Sequence, residues 1–235
     1  MILGENGIKM GKRFPEFVVN PSDIVREYGA DTLRLYEMFM GPLEVSKPWS
    51  ATGVAGAKKF INRVWNFFSE SANIVDTDDG KLTKVYHQTV KKVTNDYEVL
   101  GFNTAIAQMM VFVNEVYKVG TCPRAYAEGF VKMISCIIPH VGEELWQLMG
   151  HDTTIAYASW PTYDEAKCKD TVITMAVQVN GKMRGTVEME ADLDNDTVIA
   201  NVKADEKIAR FLEKQGGSII KTIVVKNKLV NLIVK

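Results

Sequence analysis

The spacing of hydrophobic residues changes along the chain and divides it into regions of different predicted structure. Up to about residue 50, two short stretches of helical spacing predict two small helices. Pro21 suits the first turn of the first helix, and Gly29 suits its end. The second helix is predicted to begin at Asp31 or Thr32 and to end at Gly41. Elements this small need a larger body of protein on which to pack.

From residue 51 to about 150, apolar residues recur every three or four positions, as on the buried faces of amphipathic helices. Ser50 predicts the start of the first of these helices, Asn103 the cap of the third and Gly120 its end. Pro139 predicts a kink or an end in the fourth, before a further helical stretch. Four or five antiparallel helices with short connections form an antiparallel helix bundle.

After Trp160 the spacing shifts to the alternation that is typical of strands. Alternating residues from Ile173 to Val179 precede Asn180-Gly181, a pair that favours a two-residue hairpin turn. The rest predicts the order β-β-α-β-β, so the fold class is mainly α followed by α+β, with helices on one face of an antiparallel sheet. The helical region is predicted to begin with a cap at Asp194 or Asp196 and to reach Leu212. Gly216-Gly217 then separates it from the last two strands, which are joined by a turn at Lys226-Asn227-Lys228.

Composition narrows the function classes. The 235 residues are 46% hydrophobic, enough to fill the cores of one or two globular domains. The 28 basic and 29 acidic residues nearly balance, so a polyanion would have to be bound by local patches rather than by net charge. The three cysteines and three histidines lack metal-ligand spacing, so no metal site is predicted and each histidine is expected at the surface or at a helix end. No signal peptide or membrane-spanning stretch is predicted, which favours a cytoplasmic protein without a membrane partner.

The run Lys9-Met10-Gly11-Lys12-Arg13 resembles the KMSKS loop of class I aminoacyl-tRNA synthetases. The residues after it are similar to bacterial leucyl-tRNA synthetases, and the similarity extends over essentially the whole chain. The phrases that carry it, in the family's order, are GPLEVSKPWS at 41–50, FNTAI at 102–106, PHVGEELWQLMG at 139–150, WPTYDEA at 160–166, VQVNGKMRG at 177–185 and KLVNLIV at 228–234.

The resemblance implies the C-terminal part of a leucine–tRNA ligase, whose nucleotide-binding sheet, HIGH-type signature and any editing domain lie upstream. The regions it implies are a KMSKS loop and stem-contact region at 1–50, an anticodon-binding-type helix bundle at 51–152, a connector at 153–170 and a C-terminal tRNA-contacting domain at 171–235. The complete enzyme would use leucine, tRNA(Leu), and ATP with Mg²⁺. The chain alone is expected to bind neither leucine nor ATP and to be inactive.

In the family this loop closes over ATP, which implies that Lys12 is catalytic and that Lys9, Met10 and Lys12 bind ATP. A mobile ammonium near the reacting phosphate stabilises the charge that develops in the transition state. The loop departs from the family pattern at Gly11 and Arg13, where serines are usual, and it is one residue longer. Arg13 either adds a phosphate contact or is simply solvated.

Cations outside this loop are the predicted tRNA contacts. In the terminal domain Lys182 and Arg184 flank the hairpin turn, and three lysines belong to the other strand pair. The full set is Lys182, Arg184, Lys221, Lys226, Lys228 and, on the bundle, Arg63. Such groups suit phosphates of a folded RNA. The competing interpretation is that the lysines only protect strand edges and that Arg63 lies on an ordinary solvated helix face.

Two alternatives remain open. The chain is also compatible with the small subunit of a naturally split leucyl-tRNA synthetase, in which a larger partner completes the site. A non-catalytic tRNA-binding module is the second alternative, and the altered residues Gly11 and Arg13 favour it.

Overall fold

The computed structural model describes residues 1–169, 172–215 and 218–235. Two compact units are present, Met1–Cys168 and Lys169–Lys235. Each has its own hydrophobic core. The predicted separator Gly216-Gly217 lies outside the described residues, as does the predicted end of the connector at residues 170 and 171.

The first unit is helical, with two very short parallel strand pairs. Its helices are α1 (Pro21–Tyr28), α2 (Ala30–Phe39), α3 (Ala51–Phe68), α4 (Thr83–Glu98), α5 (Phe102–Val119), α6 (Arg124–Ser135) and α7 (Pro139–Leu148). Its strands are β1 (Ile2–Leu3) with β2 (Lys47–Pro48), and β3 (Ile74–Val75) with β4 (Cys122–Pro123).

Local signals define several helix ends as predicted. The Ser50 hydroxyl accepts the Gly53 N–H at 3.1 Å at the start of α3, which confirms Ser50 as its cap. Gly29 follows α1 with φ 93°, and Gly120 ends α5 in the left-handed region with φ 84°. All three predictions are confirmed. They could be made from the sequence because each depends on backbone geometry within one helical turn.

One predicted boundary in the bundle is wrong. Helix α5 begins at Phe102 behind Gly101, so Asn103 lies inside the first turn rather than capping it. The Thr104 hydroxyl instead donates to the Gly101 carbonyl at 2.9 Å. The predicted break near Pro139 is confirmed, and it is an end and not a kink. Helix α6 ends at Ser135, and Pro139 begins α7 in the first-turn position that proline favours.

One core connects all parts of the first unit. Leu35, Val64, Val90, Phe112 and Phe130 come from α2, α3, α4, α5 and α6, and all are fully buried. The short helices before residue 50 therefore pack into the same core as the longer helices of the bundle.

The second unit is a four-stranded sheet with two helices. Its elements are β5 (Val172–Val179), β6 (Lys182–Glu190), α8 (Asn195–Ala204), α9 (Glu206–Gln215), β7 (Ile219–Val225) and β8 (Leu229–Val234). The strand order is β6-β5-β8-β7. Asn180 and Gly181 have φ values of 50° and 76°, which confirms the predicted two-residue hairpin.

Two details of this unit differ from the prediction. The central pair β5–β8 is parallel, so the sheet is mixed and not purely antiparallel. Each hairpin is antiparallel as expected, but local sequence does not specify how two hairpins lie side by side. The single predicted helical region is two helices, because the Asp205 carboxylate accepts the N–H groups of Lys207 and Ile208 and starts α9.

Across the described ranges, none of the helices is long and apolar enough to cross a membrane.

Candidate functional site

Residues 9–13, here called the lysine loop, lie between β1 and α1 and follow a tight backbone turn. The Gly4 N–H donates to the Ile8 carbonyl at 2.9 Å, and the Gly7 N–H donates to the Gly4 carbonyl at 2.9 Å. Gly7 has φ 74°, a conformation that glycine adopts without strain. The turn brings Lys9 back to form an isolated bridge with Leu3.

Met10 anchors the lysine loop to the protein. Its side chain is half-buried against the core, and its Sδ accepts the Val19 N–H at 3.5 Å. A cavity of about 170 Å³ lies beside it. The cavity is lined by Ile2, Met10, Val19, Pro21, Leu33, Glu37 and Trp49. Because the side chain faces the protein, the Met10 backbone is the part that a nucleotide could reach.

The charged groups of the lysine loop face solvent. Lys9, Lys12 and Arg13 are all exposed. Within the described first unit, the ammonium groups of Lys9 and Lys12 make no hydrogen bond or ion pair, whereas the Arg13 guanidinium lies 5.5 Å from the centre of the Phe14 ring. Both ammonium groups are therefore free to meet an anionic ligand.

The base of the lysine loop is fixed to the bundle through β1 and β2. The backbone N–H of Trp49 donates to the Leu3 carbonyl at 2.8 Å. The Trp49 ring packs edge-on against the Tyr36 ring, with 4.8 Å between the ring centres. The Tyr36 hydroxyl accepts the Ser50 N–H at 2.8 Å. These contacts make a rigid base beneath a loop whose lysines remain free.

Arg63, the tRNA contact predicted on the bundle, is used to join two helices. Its guanidinium donates to the Asn114 side chain at 2.9 Å and lies 4.8 Å from the centre of the Tyr117 ring. The Tyr117 hydroxyl in turn donates to the Arg63 carbonyl at 2.9 Å. This geometry supports a structural role in packing α3 against α5.

The five cations predicted in the terminal unit do not form one patch. Lys182 lies beside Val179 at the end of the sheet that holds the β5–β6 turn, whereas Lys226 and Lys228 lie in the β7–β8 turn at the opposite end. Lys182 and Lys221 lie at the end of the sheet that holds the β5–β6 turn, on the two opposite edge strands β6 and β7. Three strand spacings separate these strands, which places the two residues about 14 Å apart.

Two of these five cations already have partners. The Arg184 guanidinium lies 4.4 Å from the centre of the Phe211 ring, and Lys226 forms an ion pair of 2.9 Å with Asp192. Lys182, Lys221 and Lys228 are exposed and unpaired within the described part of this unit. Separate cations of this kind suit phosphates spread along a folded backbone better than a single phosphate.

His87 corrects the expectation that each histidine lies at the surface or at a helix end. It is 8% exposed, within α4, and its Nδ1 accepts the Asp164 N–H at 3.0 Å. Burial, aided by the positive charge of Lys167, lowers the pKa of His87. The histidine is thus a neutral acceptor that attaches the connector to α4.

Carboxylates elsewhere in the first unit serve structural contacts. Glu143 accepts the Thr154 hydroxyl and the Ile155 N–H, and these hydrogen bonds lower the pKa of Glu143. In the part of the chain that the structure describes, no group of three or more His, Cys, Asp or Glu side chains is arranged to hold a metal ion.

Sequence reasoning missed one arrangement. The sequence pattern indicates Asp31 only as a helix start and does not single out Arg34, yet both side chains contact the junction between α6 and α7. An acidic and a basic residue three positions apart on one helix is the only local signal of this arrangement, and such pairs are common on ordinary helix surfaces.

Comparisons with known proteins agree with this architecture. The family model described as the anticodon-binding domain of tRNA ligase matches residues 79–200. The fold is similar to that of agnB2 LeuRS from Agrobacterium radiobacter K84, crystallised as a ternary complex with tRNA and LeuAMS, with a TM-score of 0.74 and 26% sequence identity. That match covers 100% of this chain and 33% of the other, so the chain spans about a third of the length of that protein.

Proposed function

Because the chain belongs to the family of the anticodon-binding domain of tRNA ligases, we propose that it is the C-terminal part of a leucyl-tRNA synthetase. The match to agnB2 LeuRS along all of this chain but a third of that protein supports the assignment. In the complete enzyme, leucine and ATP would form leucyl-adenylate and release pyrophosphate. The leucyl group would then pass to tRNA(Leu) with release of AMP, in the cytoplasm.

The lysine loop carries the proposal. Lys9 and Lys12 are exposed and unpaired among the residues that the structure describes, and the base of their loop is firmly held. Free ammonium groups on an anchored loop are suited to contact phosphates. The strand pair beneath it supports an incomplete site, since β1 and β2 are parallel and only two residues long each. Parallel sheets normally have more strands and both faces covered, so this pair suits the edge of a larger sheet supplied by the catalytic region.

In this proposal the Lys12 ammonium approaches the α-phosphate while the leucine carboxylate attacks it. Negative charge grows on the phosphate oxygens during attack, and a cation beside them stabilises that charge more than it stabilises the ground state. Lys9 and the backbone of Met10 would contact the rest of the nucleotide. Mg²⁺ would be bound together with ATP in the complete enzyme.

The bundle and the terminal unit would hold tRNA(Leu) chiefly through its backbone. Lys182, Lys221 and Lys228 are the exposed cations that we assign to phosphate contacts, since Arg184, Lys226 and Arg63 already have protein partners. Contacts of this kind give binding that weakens as salt is added.

Reconstitution tests the proposal. We expect no leucine-dependent exchange between ATP and pyrophosphate by the purified chain, and exchange plus tRNA(Leu) charging once the catalytic polypeptide of the same organism is added or fused. Co-purification of that polypeptide with this chain would identify a split enzyme. Activity of the isolated chain would contradict the assignment to a partial enzyme. Continued inactivity with a complete catalytic region would favour a non-catalytic tRNA-binding module.

A further inference from the structure

Helix α2 presents two charged side chains, one turn apart, to the break between α6 and α7. The Asp31 carboxylate accepts the Val141 N–H at 2.8 Å and lies 2.8 Å from the ring nitrogen Nδ1 of His140. The Arg34 guanidinium donates to the carbonyls of Ile137 and Cys136 at 2.8 and 3.1 Å. We call these two residues the Asp31–Arg34 clamp.

The charges of the clamp match the two helix ends that they touch. The first N–H groups of a helix and its last carbonyls have no partners within the helix, and the two ends carry partial positive and negative charge. Asp31 meets the start of α7, and Arg34 meets the carbonyls just beyond the end of α6. The side chain of Asp31 is only 9% exposed, so few water molecules compete for these contacts.

A second acidic and basic pair three residues apart shows what is unusual here. Asp23 and Arg26 on α1 form an ion pair of 3.2 Å, but their side chains are 59% and 77% exposed. Among the residues that the structure describes, these two side chains bond only to each other. An exposed pair of this kind contributes little to stability. The clamp instead joins residues more than 100 positions apart.

The same helix also contacts the anchor of the lysine loop. Leu33 and Met10 line the same cavity, and Leu33 lies between the two clamp residues in the sequence. Helix α2 therefore touches the Met10 cavity through Leu33 and the α6–α7 junction through Asp31 and Arg34.

We infer that Asp31 and Arg34 are positioning residues, which fix the lysine loop relative to the bundle and thereby couple tRNA bound on the bundle to the reacting site. This inference rests on the proposed function. Activation of leucine needs the lysine loop and the catalytic region, whereas charging also needs the tRNA to be held in register with them. Loss of the clamp should therefore affect charging more than activation.

The test uses Asp31→Asn and Arg34→Met, with Asp23→Asn and Arg26→Met as controls that make the same changes on α1. In the complete enzyme, we expect the clamp variants to lose about tenfold in the rate of tRNA(Leu) charging, because hydrogen bonds to charged groups are weakened in Asp31→Asn and removed in Arg34→Met. Leucine-dependent exchange of pyrophosphate should stay within about twofold, and the controls should change neither rate. Arg34→Lys, which keeps the charge but not the forked geometry, serves if Arg34→Met does not fold.

Amide hydrogen exchange on the chain alone provides a second readout. The Val141 amide should exchange about tenfold faster in Asp31→Asn than in Asp23→Asn, because its acceptor is weakened. Unchanged Val141 exchange, or equal losses of activation and charging, would overturn the inference. If the unmodified complete enzyme shows no leucine-dependent exchange of pyrophosphate, the proposed function fails and the inferred coupling fails with it. Amide hydrogen exchange at Val141 then decides only whether the clamp holds the α6–α7 junction.

Discussion

At the scale of single residues, His87 shows how one buried acceptor makes the chain sensitive to pH. The neutral ring accepts the Asp164 N–H, while Gln88, Lys91 and Thr94 bond to Cys168, Glu165 and Trp160 along the same helix. Protonation would place a hydrogen on the accepting nitrogen and break the first of these contacts.

The pKa of His87 lies below its usual value near 6.5 in the folded chain, so the unfolded chain binds the proton more readily. This contribution to stability is complete above about pH 6.5 and is lost as the pH falls through the lowered pKa. We expect the free energy of unfolding, measured in urea, to fall less between pH 7.5 and 5.5 in His87→Gln than in the unmodified chain. Equal falls would show that His87 is not the group responsible.

For Asp31, the sequence predicts the position in the helix but not the contact that its side chain makes. The pattern placed Asp31 near the start of α2, and the helix does begin one residue earlier, at Ala30. Nothing local indicates that its carboxylate reaches the start of α7, because that contact depends on how the chain folds back from over 100 residues away. Lys12 was identified through resemblance, and its role in ATP binding stays a prediction.

At the scale of secondary-structure elements, glycine-to-alanine substitutions at two helix positions should have opposite effects on the free energy of unfolding. A Cβ at Gly129 in α6 would lie 2.0 Å from the Tyr86 hydroxyl, whereas one at Gly56 in α3 would meet nothing within 4 Å. We expect Gly129→Ala to lower the free energy of unfolding by about 1–3 kcal/mol through overpacking. Gly56→Ala should raise it by about 0.5–1 kcal/mol, since alanine favours a helix. Urea denaturation measures both, and a loss in Gly56→Ala equal to that in Gly129→Ala would contradict the packing described.

The cap of α8 resolves an alternative that the sequence left open between Asp194 and Asp196. Asp194 accepts the N–H groups of Asp196 and Thr197 and the Thr197 hydroxyl, so it is the cap. Asp194→Ala should cost about 1 kcal/mol of stability in the second unit, and Asp196→Ala much less. Thermal unfolding followed by circular dichroism measures the difference, and an equal loss in both variants would refute this assignment of the cap.

Elements were predicted well where one turn of chain determines them. Ser50 and Gly120 act within their own helices, and the structure confirms both. The Asn103 prediction is wrong because α5 begins one residue earlier, at Phe102, with Gly101 in the cap position and no side-chain cap bond. The parallel pairing of β5 with β8 could not be predicted, since it joins strands from two separate hairpins and no turn residue specifies it.

At the scale of the whole molecule, the near-neutral net charge of −1 means that the proposed RNA binding would depend on a few local cations. Replacing Lys182, Lys221 and Lys228 together with glutamine should weaken tRNA(Leu) binding by the chain. It should also make binding less dependent on salt, because each phosphate that a lysine no longer neutralises lowers the logarithmic salt slope by up to about one unit.

The matched control replaces Lys203, Lys207 and Lys214 on α8 and α9, which removes the same charge. Filter binding of tRNA(Leu) over a range of potassium chloride concentrations compares the two sets. Equal effects of the two triple variants would show that only overall charge matters, and no effect of either would place the tRNA elsewhere.

In the proposed function, this chain supplies the lysine that completes a leucine-activating site. The most direct measurement is leucine-dependent exchange of pyrophosphate by the complete enzyme carrying Lys12→Met, with Lys203→Met as the control. We expect a loss of about a hundredfold or more in Lys12→Met, as for removal of one donor to a developing oxyanion, and no change in the control. Full exchange activity in Lys12→Met would contradict this proposal.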